Sequence, residues 1–332
     1  MGGNMRNISL SRRGLATLGL AAASGLWAAT PAMAQYPQKP IRIFLPFAAG
    51  GIGDITFRLV TAKVTERTGM QFVIENRPGA GGITSAMAGK GSTPDGYALV
   101  QIGNSYAISA SLFATLPYDL LKDFKAVSTL AQFDLLLATK ASGEFGTLAR
   151  LVEFDRANPQ KLNFGAISAG STQNIAAEMF KSLIGSKAAI VPFKSSPELI
   201  GAVQRGDIDV AFDYLAAFAP SVADKQLKLI ASAGEKRSAL TPDTPTVLES
   251  GWPGYVVTSW NGVAAPVGTP PEIINQLNRE ITLVLQLPEV KERFQQLGME
   301  PAISTPEGMG ERLQADIVRW RGIITKLGLQ PG

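Results

Sequence analysis

From Ile41 to Pro46 the chain is a short apolar run that stops at the glycine-rich stretch Ala48–Gly53. Such a run, bounded by glycine, predicts a buried strand and a loop. Beyond it Ile55, Leu59, Val60 and Val64 recur at helical spacing, which predicts a helix over 54–68. Gln71–Glu75 predicts a second strand, the turn Asn76–Gly82 leads into a helix through Met87, and Tyr97–Ile102 predicts a third strand. Strand, helix, strand, helix, strand in that order implies a parallel α/β sheet.

A second pattern follows. Leu135–Thr139, Leu162–Gly165, Ala189–Val191, Ile208–Phe212 and Lys228–Ala233 predict strands. Between them lie helical stretches over 148–158, from the small-residue loop 166–172 through Leu183, and over 196–205. After Trp260–Pro266 the chain turns strongly helical over 271–285 and 288–297. Two βα sheets with a cleft between them fit this order better than one continuous sheet.

The first 34 residues change the picture. Arg12 and Arg13 precede the apolar run Leu15–Ala29, and Ala32-Met33-Ala34 follows. A basic start, an apolar middle and small residues at the cut form a secretory leader, so the mature chain is expected to begin near Gln35. Ser11-Arg12-Arg13-Gly14-Leu15 also resembles a twin-arginine signal, which leaves the Sec and twin-arginine routes both open. The run is shorter than the roughly 20 residues of a membrane span, so cleavage is expected rather than anchoring.

Composition narrows the chemistry. The formal charge of +4 hints at an anionic partner, but Arg6, Arg12 and Arg13 belong to the leader, and the rest carries 28 bases against 27 acids. There is no basic stripe with interleaved aromatics, so a nucleic-acid partner is not expected. The chain has no Cys and no His. That excludes His-dependent triads and the usual zinc sites, and leaves carboxylate-only metal sites formally open.

Four stretches are candidate sites. Phe47, Ala48, Ala49, Gly50, Gly51, Ile52, Gly53 and Asp54 lie between a strand and a helix. Their glycines let the backbone approach a ligand, and the helix start offers free N–H groups to a carboxylate or phosphate. A plain tight turn explains the glycines equally. Gly51-Ile52-Gly53 also gives G-x-G with Glu75 downstream, but Thr56 stands at the third glycine position, so the dinucleotide fingerprint is defective. The second stretch, 165–172, repeats the logic with Ser168, Ser171 and Thr172, where Ser171 or Thr172 caps the helix or meets a ligand oxygen. Ile167-Ser168-Ala169-Gly170 is a near miss to a nucleophile elbow, with no histidine to serve as base. Asp213, at a strand end, either orients a ligand hydroxyl or ammonium or caps the next segment. Asn104, Ser105 and Tyr106 follow the third strand at the same sheet edge.

Together these segments resemble the solute-binding proteins of the tripartite tricarboxylate transporter, the Bug family. The resemblance rests on Pro46-Phe47-Ala48-Ala49-Gly50-Gly51-Ile52-Gly53-Asp54, on Asn76-Arg77-Pro78-Gly79-Ala80-Gly81-Gly82, and on Leu116-Pro117-Tyr118-Asp119. It extends through Gly206-Asp207-Ile208-Asp209, Phe212-Asp213, Trp260-Asn261-Gly262 and Ala265–Pro270, and so covers the whole mature chain. It implies a two-domain periplasmic-binding-protein fold of the type II-like flytrap kind, with ligand in the interdomain cleft. The expected domains are 35–135 plus 260–332, and 136–259. It implies a monomeric periplasmic receptor with neither cofactor nor catalytic centre, which captures a small carboxylate for a membrane permease. In such proteins, backbone amides and waters from Phe47–Asp54 and the Asn104 region would hold the carboxylate, with Ser168, Ser171, Thr172 and Asp213 closing from the other side. A ligand sensor serving a signalling partner and an exported enzyme on the same fold are the alternatives. The sequence departs from the pattern at Ile52, Asn174, Tyr106 and the serine-poor Ala166-Ile167-Ser168. If Ile52, Tyr106 and Phe47 face the cleft, an aromatic or longer-chain carboxylate is expected over a citrate-like one.

Overall fold

The computed structural model describes residues 1–3 and 36–329, so the expected leader lies outside the described residues except for its first three. The chain divides into two compact units, Met1–Gln38 and Lys39–Gly332. Every helix and strand among the described residues belongs to the second.

The first elements follow the hydrophobic pattern closely: β1 (Ile41–Leu45), α1 (Ile52–Thr68), β2 (Phe72–Asn76), α2 (Ile83–Lys90) and β3 (Ala98–Gly103). β1 pairs in parallel with both β2 and β3, as two helical crossovers require. Then come α3 (Asn104–Leu112), the 17-residue β4 (Phe124–Lys140), α4 (Leu148–Ala157), β5 (Asn163–Ile167), α5 (Thr172–Ile184) and β6 (Ala189–Phe193). The rest is α6 (Ser196–Arg205), β7 (Val210–Tyr214), α7 (Leu215–Ala223), β8 (Leu227–Ser232), β9 (Thr258–Pro266), α8 (Pro271–Leu285), α9 (Pro288–Gln296), β10 (Met299–Pro301) and α10 (Pro306–Lys326). No helix among the described residues is long and apolar enough to cross a membrane.

β4 joins the two halves. Its first part, Phe124–Asp134, pairs antiparallel with β9; its second part, Leu135–Lys140, pairs with β7 and β8. The strand order β2-β1-β3-β9-β4-β7-β5-β6 is therefore one unbroken ladder of a 10-stranded sheet. The two βα sheets expected from the sequence are present as two pairing networks, and they share the strand β4. The expected strand at 135–139 is only the end of β4. Register shifts at Ala126/Ser128 and Thr129/Ala131 break the alternation of the first part, which hides it from a period-two reading.

Around β5 and β7 the core is aromatic. The Phe180 ring meets Phe164 at 5.9 Å, Phe212 at 5.8 Å and Tyr255 at 5.8 Å between centroids. Contacts of this kind add about 0.5–1.5 kcal/mol each beyond area burial. They hold rigid the strand ends that carry Ile167, Asp213 and Tyr214. On the other side α10 packs on α3, and fully buried Trp320 donates from Nε1 to Asn104 Oδ1 at 2.6 Å.

Candidate functional site

Sheet register assembles the floor of a cleft. Residues opposite one another in adjacent strands share a face, and that face repeats every second residue. Gly103 of β3 lies opposite Asn261 of β9, which puts Gln101 on the same face two residues back. One step beyond the Phe44–Val100 pair, Leu45 sits beside Gln101. Across β9 and β4, Ser259 lies opposite Phe133 and Asn261 opposite Ala131. Leu45, Gln101, Phe133, Ser259 and Asn261 all line the cleft, whose open space is about 580 Å³ with its mouth included.

Above this floor stands the start of α1. Its N-cap residue Gly51 makes no side-chain capping bond, and Gly51, Ile52, Gly53 and Asp54 line the cleft. Orphan N–H groups with the positive end of a helix dipole behind them suit an anion. Gly53 lies close to the end of the Gln101 side chain: a Cβ there would lie 2.7 Å from Gln101 Oε1. The acid of this corner is already neutralised. Asp54 Oδ2 accepts from the Gly50 amide at 3.2 Å and from Arg58 Nε at 3.0 Å, and Oδ1 pairs with Arg58 Nη2 at 2.9 Å. Burial pushes this carboxyl up, but Arg58, the Gly50 amide and Asn76 outweigh it and hold it below its usual value. The start of α3 likewise has no side-chain cap, and Ser105 of its first turn faces the cleft.

The opposite wall is built differently. Ser171 caps α5, accepting from the Asn174 amide at 3.0 Å while donating to Ile167 O at 3.0 Å. Ser195 caps α6 in the same way. Asp213 is fully buried; its Oδ1 accepts from Gln173 Nε2 at 3.1 Å and from the Tyr214 amide at 2.9 Å. Burial pushes its carboxyl up to about 6, against the pull of Ser196, Gln173 and that amide. Thr172 Oγ1 accepts from Asn104 Nδ2 at 2.9 Å and lies 3.2 Å from Ser259 Oγ, tying the wall to the floor. Lys194, exposed at the lip, has no carboxylate at ion-pair distance among the described residues.

Of the sequence-predicted residues, Phe47, Ala48, Gly51, Ile52, Gly53, Asp54, Ser105 and Thr172 line this cleft. Ala49 and Gly50 are exposed beside it, and a Cβ on Gly50 would touch Pro197 at 3.4 Å. Asn104, Ser168 and Ser171 spend their side chains on protein partners, and Asp213 does so through Oδ1 while its Oδ2 is buried without a hydrogen-bond partner. Tyr106 lies away from the cleft: it is buried, its hydroxyl donates to Gly82 O at 3.2 Å, and its ring packs edge-on against Tyr118. Of the three bulky residues weighed for the cleft, only Phe47 and Ile52 line it. Sequence reasoning missed Gln101, Asn261, Gln173, Lys194, Ser195 and Ser196. Gln101 and Asn261 carried a signal, being polar residues inside otherwise apolar strands. Their amide atoms are the cleft's open valences: Gln101 Oε1, Asn261 Oδ1 and Asn261 Nδ2 are buried without a hydrogen-bond partner.

The family model for the tripartite tricarboxylate transporter family receptor matches residues 56–329. Protein BugT of Bordetella pertussis is 32% identical over 320 residues, covering 95% of this chain and 97% of BugT. Among solved structures, R. palustris Rpa4515 with adipate superposes with a TM-score of 0.84 at 30% identity, covering 88% of this chain and 98% of that one. MatC from Rhodopseudomonas palustris with bound malate gives 0.81 at 28%, covering 87% and 100%. With the α/β sheet, the flanking helices and the cleft in the same chain, these matches are decisive: the protein belongs to the tripartite tricarboxylate transporter receptor family, the Bug proteins, and has their solute-binding-protein fold.

Proposed function

We propose that this chain is an exported periplasmic receptor that captures a small organic carboxylate in the cleft, leaves it chemically unchanged, and delivers it to a membrane permease. The observation that carries this reading is the uncapped N-terminus of α1, which opens onto a cleft whose own acid, Asp54, is neutralised by Arg58. A carboxylate is the group that such a corner lacks. Phe47, Ile52, Leu45 and Phe133 supply apolar wall, which suits a ligand with a hydrocarbon or aromatic body. That Rpa4515 was solved with adipate and MatC with malate supports a carboxylate ligand here. Residues 35–135 with 260–332 form one domain and 136–259 the other, and they close on the ligand as a monomer. The Asn104–Thr172 contact is the expected seam of that closure.

A thermal-shift screen of the mature protein, refolded to strip carried-over ligand, tests this. Mono-, di- and tricarboxylates, aromatic acids and amino acids are compared with their methyl esters. A ligand at 100 times its Kd adds about 2.7 kcal/mol. The expected result is a sharp rise with one carboxylate class, lost on esterification, with the ligand recovered intact. No response to any carboxylate, or turnover of the ligand, would overturn the reading.

A further inference from the structure

Asn261 is 1% exposed, lines the cleft, and has neither amide atom bonded. Its neighbours in register explain why. Gly103 opposite it has no side chain, and Ala131 on the other strand has only a methyl. Among the described residues no group hydrogen-bonds the amide, and the floor is left with a buried donor and a buried acceptor side by side. Interchanging the amide oxygen and nitrogen does not alter this, because either assignment presents one of each. Gln101, two residues from Gly103 on the same face, adds a second unpartnered amide oxygen. The start of α1 stands directly over it, since a Cβ on Gly53 would touch Gln101.

A bare carboxylate satisfies only half of this arrangement. It accepts from the α1 amides and from Asn261 Nδ2, but it sets its own oxygens against Asn261 Oδ1. The floor therefore calls for a hydrogen-bond donor attached next to the carboxylate. Hydroxyl and ammonium both donate. The surrounding charge disfavours ammonium: two uncapped helix starts face the cleft and Lys194 stands at its lip. Asp54 is paired with Arg58, and Asp213, whose Oδ1 accepts from Gln173 and the Tyr214 amide while its Oδ2 is buried without a hydrogen-bond partner, is not among the residues that line the cleft.

We propose that the Asn261 side chain reads a hydroxyl on the carbon beside the ligand's carboxylate, so that the receptor prefers 2-hydroxy carboxylates to their deoxy counterparts. This rests on the receptor reading and makes Asn261 a specificity determinant within it. Sites built to bond a polar group reject the analogue that lacks it far more strongly than apolar pockets reject a missing methylene.

The experiment is calorimetric titration of the stripped mature protein with matched pairs: malate against succinate, mandelate against phenylacetate, lactate against propionate, with alanine as the ammonium counterpart of lactate. In whichever pair binds, the hydroxy member is expected to bind roughly tenfold tighter or more. In Asn261→Leu that ratio is expected to fall to about one, through loss of the hydroxy member's advantage. Asn261→Ala, with the melting temperature of each variant, guards against a packing artefact of the larger side chain. Equal affinities within a pair for the wild type would overturn the proposal. So would a preference that survives both substitutions in folded protein, or alanine outbinding lactate. Binding without discrimination sinks only the role of Asn261, whereas failure of every carboxylate to bind the wild type sinks the receptor reading as well.

Discussion

Two corners of this molecule look alike in sequence and differ in what they leave open. In both, a strand ends in small residues and a helix begins: β1 into α1 past Gly50-Gly51, and β5 into α5 past Gly170-Ser171. At the second corner the protein fills its own site. Ser171 takes the Asn174 amide, and Asp213 places a buried carboxylate against Gln173 of the first turn. At the first, the N-cap is a glycine without a side chain to offer, and Asp54 is turned toward Arg58. The same secondary structure thus gives one finished corner and one that awaits an anion. Capping, more than the glycines themselves, separates the binding corner from the structural one.

The strongest way to break this contrast is to close the first corner. In Gly53→Ala the new methyl would press on the far end of the Gln101 side chain, which can swing aside. The fold is expected to survive with little change in melting temperature, while the displaced amide occupies ligand space and carboxylate affinity falls about a hundredfold, near 2.7 kcal/mol. Calorimetry beside a thermal melt checks both halves.

Next in size is the carboxylate that the second corner supplies for itself. Asp213 titrates at about 6 in the folded protein, pushed up by burial. The unfolded chain releases that proton near 3.9, so the native state holds more protons between those values and stability falls as pH rises through them. Asp213→Asn is expected to remove that loss, on the order of 2 kcal/mol above pH 6. Part of the slope remains, because Asp134, raised by burial and by Glu300 and Glu235, also titrates at about 6. Urea midpoints of the two proteins at pH 4, 5, 6 and 7 show whether the curves separate in that direction.

The smallest effect comes from exchanging the caps. Ser171→Ala is expected to cost about 1 kcal/mol of stability and to change ligand affinity by less than about threefold. Gly51→Ser does the reverse. Gly51 already has extended φ/ψ of −83° and 170°, and a Cβ there meets Ser196 Oγ at 3.7 Å and Ala48 O at 3.9 Å, both ordinary contacts, so the serine fits. It is expected to gain a few tenths of a kcal/mol while its hydroxyl competes with the ligand and weakens binding roughly tenfold. A chevron-free comparison suffices: equilibrium melts for stability and titrations for affinity.

Where punctuation was local, the sequence was readable to the residue. α6 is bounded by the Ser195 cap, Pro197 in the first turn and Gly206 at φ 84°, and its predicted span matches the observed Ser196–Arg205. α8 matches for similar reasons, with Pro271 at its start. α3 was hidden by its run of small polar residues, and α7 by Pro220 inside the helix. The site divides along the same line. The loop 47–54 is visible because glycines mark it. Asn261 and Gln101 become neighbours only through the pairing of β3 with β9, which no local pattern encodes. Tyr106 shows the opposite error, since bulk beside a strand end suggested a cleft wall and the side chain instead anchors Gly82 in the core.

The most direct test of the central claim is a crystal structure of the stripped mature protein soaked with the tightest-binding carboxylate. One carboxylate is expected on the first-turn amides of α1, each bond within about 2.7–3.2 Å, directly or through one water. A carboxylate seated at Lys194 and the capped start of α6, with the α1 amides left to bulk solvent, would contradict it.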